Sequence, residues 1–156
     1  MRNGIIEQAK ERLSPECDAD RRGGMGVGAG EVAPFAFVID DQAEICRLVA
    51  TTLATLGIEC DAFPSAKPAI ASLDRRRPAV IFLDVALEQS DAIDVIKGLS
   101  EKRYTGIVQL MSGGRLPLLE AIQRIGARYG LVLRPALQKP FRGEDLRRAI
   151  VDLGLA

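Results

Sequence analysis

The run "FAFVIDDQAEI", residues 35–45, decides how this chain is read. Phe35, Phe37, Val38 and Ile39 form a short, wholly apolar run that ends on two adjacent carboxylates, Asp40 and Asp41. Beyond them Ile45, Leu48, Val49, Leu53 and Leu56 recur at helical spacing until Gly57 supplies a stop. This is a buried strand passing into an amphipathic helix. Two like charges at the junction repel each other, so they must be hydrated or neutralised.

The same alternation continues outward. "IECDAF" (58–63) alternates like a half-exposed strand at a sheet edge, and Ser65 can cap a short helix to about Leu73. "AVIFLD" (79–84) is a second wholly apolar strand ending on a carboxylate, and Ala92, Val95, Ile96 and Leu99 mark the next helix. "GIVQLMS" (106–112) is a strand ending on a hydroxyl, followed by a helix through Leu119, Ile122 and Ile125. "LVLRPALQKP" is a less regular strand ending on a lysine. Pro135 cannot donate to a ladder, so this strand should be an edge or carry a bulge. Leu146, Ala149, Ile150 and Leu153 give the last helix. Five β-α repeats with apolar strands predict an α/β fold, a parallel sheet covered on both faces and doubly wound.

The 156 residues suffice for one domain and a tail. Residues 1–33 read as a flexible extension, with "IIEQAKERL" as a short amphipathic helix and the Gly-rich "GGMGVGAG" as a linker; residues 34–156 are the folded domain. The glycines precede a strand instead of following one, which disfavours a phosphate-binding loop. Basic and acidic residues balance at 21 each, so no overall field favours nucleic acid or a membrane surface. The N-terminus lacks the apolar core of a secretory signal, and a cytoplasmic location is expected. Cys17, Cys46 and Cys60 form no C-x-x-C pair and read as reduced structural thiols. The chain has no histidine, which excludes Ser-His and Cys-His dyads, histidine metal ligands and phosphohistidine.

Sites in such sheets lie beyond the carboxyl ends of the strands. Asp40 and Asp41 stand there after the first strand, Asp84 after the third, Ser112 after the fourth and Lys139 after the fifth. Each alone could be a cap, a turn residue or a surface group. Together they form a set spanning a hundred positions that one sheet would gather. Three carboxylates call for a cation, and Mg²⁺, hard and oxygen-seeking, suits them. With a metal there, Ser112 and Lys139 could hold phosphoryl oxygens while one carboxylate serves as nucleophile; Asp84, on a central strand, is the best candidate.

"VIDD", "FLDV", "LMSG" and "QKPF" resemble the receiver domain of two-component response regulators over about residues 35–153. The resemblance implies a five-stranded, flavodoxin-like sheet of order 2-1-3-4-5 and Mg²⁺-dependent phosphorylation of Asp84 by a sensor histidine kinase. It makes Asp41 a direct Mg²⁺ ligand, Asp40 a ligand through water, and the Ala86 backbone carbonyl the remaining protein ligand. Ser112 and Lys139 would bind the phosphoryl group, with the Lys139–Pro140 bond cis. Output would be a phosphorylation-dependent contact with a downstream protein or phosphate passed onward in a phosphorelay. A homodimer is a further candidate partner.

The chain departs from that pattern at Ala136, where the family usually carries an aromatic switch residue, and in a longer stretch between Ser112 and Lys139. The surface of the fourth helix and fifth strand should therefore be unusual, with no firm expectation of the common dimer there. Small residues at Ala86, Gly113 and Gly114 suggest a short-lived acyl phosphate. The chain ends just after the last helix, so the expectation is a stand-alone receiver with no DNA-binding or enzymatic output domain, and not a turnover enzyme. A pseudo-receiver, the fold used only as an interaction module, is the competing reading. A flavodoxin-like nucleotide binder would want a Gly, Ser or Thr-rich loop where Asp-Asp-Gln stands, and an aspartyl phosphatase a second acid where Ala86 stands.

Overall fold

The computed structural model describes residues 33–87, 92–114 and 116–156. The glycine-rich segment, Cys17 and nearly all of the expected extension lie outside the described residues. Among the described residues five strands, β1 (Phe35–Ile39), β2 (Glu59–Phe63), β3 (Val80–Asp84), β4 (Ile107–Ser112) and β5 (Val132–Gln138), alternate with five helices. These are α1 (Ala43–Thr55), α2 (Ala66–Ser72), α3 (Ala92–Glu101), α4 (Leu116–Arg128) and α5 (Gly143–Asp152). All strand pairings are parallel and the order is β2-β1-β3-β4-β5, the expected 2-1-3-4-5 sheet.

Strand alternation divides the core into two layers. Phe35, Phe37 and Ile39 of β1, with Ile81 and Leu83 of β3 and Val108 and Leu110 of β4, face a layer built with α2, α3 and α4. Ala36 and Val38, Val80 and Phe82, and Met111 face the other layer, closed by Cys46, Val49 and Leu53 of α1 and Leu146 and Ile150 of α5. β1 throughout and β3 up to Leu83 are apolar because both of their faces are covered. Among the described residues no helix is long and apolar enough to cross a membrane.

β2 corrects one expectation. It is an edge strand, but it is not half-exposed: Cys60, Asp61, Ala62 and Phe63 are all buried. Helices pack near both of its faces, so the polar member of the alternation, Asp61, is enclosed too. Ser65 does stand at the N-cap of α2, but its side chain makes no capping hydrogen bond. The innermost face of α1 is Cys46, Val49, Thr52 and Leu53, with Ile45, Leu48 and Leu56 at its margin.

β5 is the opposite edge and differs from every other strand. Val132, Arg134, Pro135 and Gln138 are exposed. Its pairing with β4 slips between Gln109 and Met111, from Gln109 opposite Arg134 to Met111 opposite Leu137. Pro135 thus marks both an edge and a bulge.

Candidate functional site

The carboxyl ends of β1, β3, β4 and β5 converge, and ladder bonds carried one step past the strands place each side chain. Asp40 N–H donates to Phe63 O (3.0 Å), Val85 N–H to Met111 O (3.0 Å) and Lys139 N–H to Ser112 O (2.7 Å). Chain turns that would otherwise be loose are therefore extensions of the sheet. Asp40, Asp84 and Ser112 are buried, whereas Asp41 is partly open.

One carboxylate oxygen from each of Asp40, Asp41 and Asp84 lies within 4.8 Å of the other two. Three such oxygens at this separation fit a small hard cation that keeps part of its water. The Lys139 ammonium donates to Asp40 Oδ2 (2.8 Å) and to Gln42 Oε1 (3.1 Å), and it lies 3.3 Å from Asp84 Oδ1. Asp40 Oδ1 accepts the Gln42 backbone N–H at 2.8 Å, so both oxygens of Asp40 are engaged. Asp84 Oδ1 accepts the Ala86 N–H at 3.2 Å. Asp41, Gln42, Asp84, Ala86, Gly113 and Lys139 line one open cleft. The Lys139–Pro140 bond is cis, as the resemblance implied.

Burial pushes the Asp40 carboxyl above its ordinary range; the hydrogen bonds from Lys139 and Gln42 oppose that shift, and the charge of Asp84 adds to it. Burial alone would pull the Lys139 ammonium down. The hydrogen bond and charge of Asp40, with Asp84 behind them, outweigh burial and hold it above its ordinary value. The carboxylates thus favour the charged form of the lysine among them.

Ser112 is buried at the end of β4 and its Oγ accepts the Gly114 N–H at 3.1 Å. The pocket beside it is open: a methyl group at Gly113 would meet nothing within 4 Å. All six residues singled out in the sequence therefore come to one end of the sheet. Gln42 was missed, although it ties Asp40 to Lys139 through both backbone and side chain. Its only signal was adjacency to the acidic pair. Ala136, at the expected switch position, is half-buried and packs against the α2–α4 layer.

A family model described as the response regulator receiver domain matches residues 36–151. Among solved structures, the chemotaxis protein CheY4 of Vibrio cholerae, crystallised at low pH, is 21% identical with a TM-score of 0.67, over 78% of this chain and 99% of that one. The receiver domain of NtrX from Brucella abortus is 25% identical with a TM-score of 0.64, over 76% and 96%. The beryllofluoride-activated NtrC4 receiver domain dimer is 21% identical with a TM-score of 0.65, over 76% and 94%. No curated protein matches the chain.

Proposed function

The chain belongs to the response regulator receiver domains, and from that membership we propose that it accepts a phosphoryl group on Asp84 from a sensor histidine kinase. The observation that carries this reading is the lysine contact: Lys139 Nζ lies 3.3 Å from Asp84 Oδ1 while bonding Asp40, beside a cluster fit for a cation. A carboxylate oxygen of Asp84 attacks phosphorus and an acyl phosphate forms. The P–N bond to the kinase imidazole breaks, its electron pair stays on the nitrogen, and that nitrogen takes a proton. Mg²⁺ would be held by Asp41, Asp84 and the Ala86 carbonyl, with Asp40 acting through water, and would neutralise phosphoryl charge. Ser112 donates its hydroxyl proton to one phosphoryl oxygen and Lys139 pairs with another.

Hydrolysis reverses the gain: water attacks phosphorus, Asp84 is regenerated as carboxylate and inorganic phosphate leaves. This is self-limited dephosphorylation and not turnover of an external substrate. The open space at Ala86 and Gly113 supports a short-lived acyl phosphate. A half-life of many hours in the purified protein would overturn that. The reading carries with it a cytoplasmic setting and an output made through protein contacts, with a downstream target, a phosphotransfer protein or a second copy.

The test is phosphorylation by a small donor such as acetyl phosphate with Mg²⁺, read by intact mass. The wild type gains one phosphoryl group and Asp84→Asn gains none. Equal labelling of both, or of neither, would sink the acceptor assignment, and labelling of neither would leave the pseudo-receiver reading.

A further inference from the structure

The longer approach to Lys139 has a specific structural consequence in β5. Up to Gln109, β4 and β5 pair regularly, with Ile107, Val108 and Gln109 opposite Val132, Leu133 and Arg134. After the slip, Met111 and Ser112 pair with Leu137 and Gln138. One extra residue has been taken up by β5, and in a strand one residue reverses every side chain that follows.

The packing records that reversal. Leu133 packs with the α2–α4 layer, and strict alternation would send residues 135, 137 and 139 the same way. Instead Leu137 packs with the α1–α5 layer. Lys139, two further on, shares the parity of Leu137. Asp40 shares that of Ala36 and Val38, and Asp84 that of Val80 and Phe82, all facing the α1–α5 layer. Were the same residues to pair in strict alternation, with none bulged out, Lys139 would point to the opposite face from the carboxylates it now contacts.

The bulge is held from β4. Gln109 is buried at 4% exposure, and its carboxamide nitrogen donates to Pro135 O at 2.7 Å and to Leu110 O at 3.1 Å. Both acceptors are carbonyls, which can only accept, so the amide group must face them. Pro135 has no N–H to pair, and the Gln109 side chain supplies its carbonyl with a donor where the ladder slips. A buried glutamine inside "GIVQLMS", among apolar neighbours, costs stability unless its bonds are made.

We propose that Gln109 is a positioning residue for the phosphoryl-binding lysine: by clamping the one-residue bulge at Pro135 it sets the face on which Lys139 emerges. This rests on the acceptor reading above and extends it to a residue that touches neither phosphoryl group nor metal. Gln109→Met keeps the length and removes the donor. Beryllofluoride binding with Mg²⁺, titrated by ¹⁹F NMR, should weaken about tenfold, the usual scale for a lost outer-shell partner. Mg²⁺ binding alone should hold within twofold.

The decisive comparison is a double-mutant cycle with Lys139→Gln. If Gln109 acts through the lysine, Gln109→Met changes beryllofluoride affinity by less than twofold once Lys139→Gln is in place. A full tenfold loss in that background would overturn the proposal, as would wild-type affinity in the single variant. Should Gln109→Met fail to fold, deletion of Pro135 in the Gln109→Val protein removes clamp and bulge together and leaves Leu137 and Gln138 in register with Met111 and Ser112; with no bulge left to clamp, it should bind beryllofluoride within twofold of wild type. Binding there as weak as in Lys139→Gln would overturn the proposal. Failure of the acceptor reading looks different, because the wild type itself would then not bind beryllofluoride.

Discussion

β3 and β5 deliver the acceptor and the lysine to the same site by opposite means. β3 is buried at all five positions, pairs in register on both sides and carries Asp84 directly at its end. β5 is mostly exposed, pairs on one side, slips by a residue and delivers Lys139 just after its last residue. A nucleophile must be placed to a fraction of an ångström, and a covered, regular strand does this with no special device. The lysine has a long flexible stem, so its strand tolerates an irregularity once a side chain fixes the direction of exit.

That contrast can be broken most severely in the core of β3. Phe82 is fully buried, and Phe82→Ala should cost about 3–5 kcal/mol in urea unfolding, enough to endanger folding of the domain. A loss below about 1 kcal/mol would mean that β3 is no more tightly built than β5. At the site, Asp41→Asn should weaken Mg²⁺ binding about tenfold by calorimetry while leaving Asp84 in place. Arg134→Ala, exposed on β5, should leave it unchanged.

A third prediction concerns the start of β3. The Tyr104 hydroxyl donates to Pro78 O at 3.0 Å, pinning the chain just ahead of the strand. Burial pushes this phenol well above the ordinary tyrosine value, against a smaller opposing effect of Arg77. The native state therefore keeps a proton that the unfolded chain releases, and stability should fall as pH rises above about 10. Tyr104→Phe should cost about 1 kcal/mol at pH 7 and show a shallower alkaline decline. An identical alkaline decline in both proteins would show that the phenol contributes nothing to it. The smallest effect belongs to β5: Val132 is 53% exposed, and Val132→Ala should shift stability by no more than about 0.5 kcal/mol in the same unfolding assay.

Strand ends were legible because an apolar run that stops on a charge is a strong local signal, and parallel topology then gathers the charges. Helix faces were legible to within a residue or so: α1 turns Cys46 and Thr52 inward, where the pattern had favoured Ile45 and Leu48. β2 was misread because alternation reports chemistry and not coverage; Asp61 looks solvent-facing in "IECDAF" but is buried. Pro135 pointed to an edge or a bulge, and both occur. Gln109 was invisible, because one polar residue in a strand reads as an outward position. Its meaning depends on a carbonyl 26 residues away. Gln42 was hidden for the same reason, its partner Lys139 lying 97 residues on.

The slip in β5 also bears on how two copies of the chain can meet. An outermost strand offers its unused amides and carbonyls to any neighbouring chain, and a long flat one invites fibres. Here Pro135 interrupts the donors in mid-strand, and the extra residue twists the backbone out of line with any straight partner. A second chain could zip along no more than about three residues before losing register. The same irregularity that aims a lysine therefore guards the open flank of the sheet against sticking to itself.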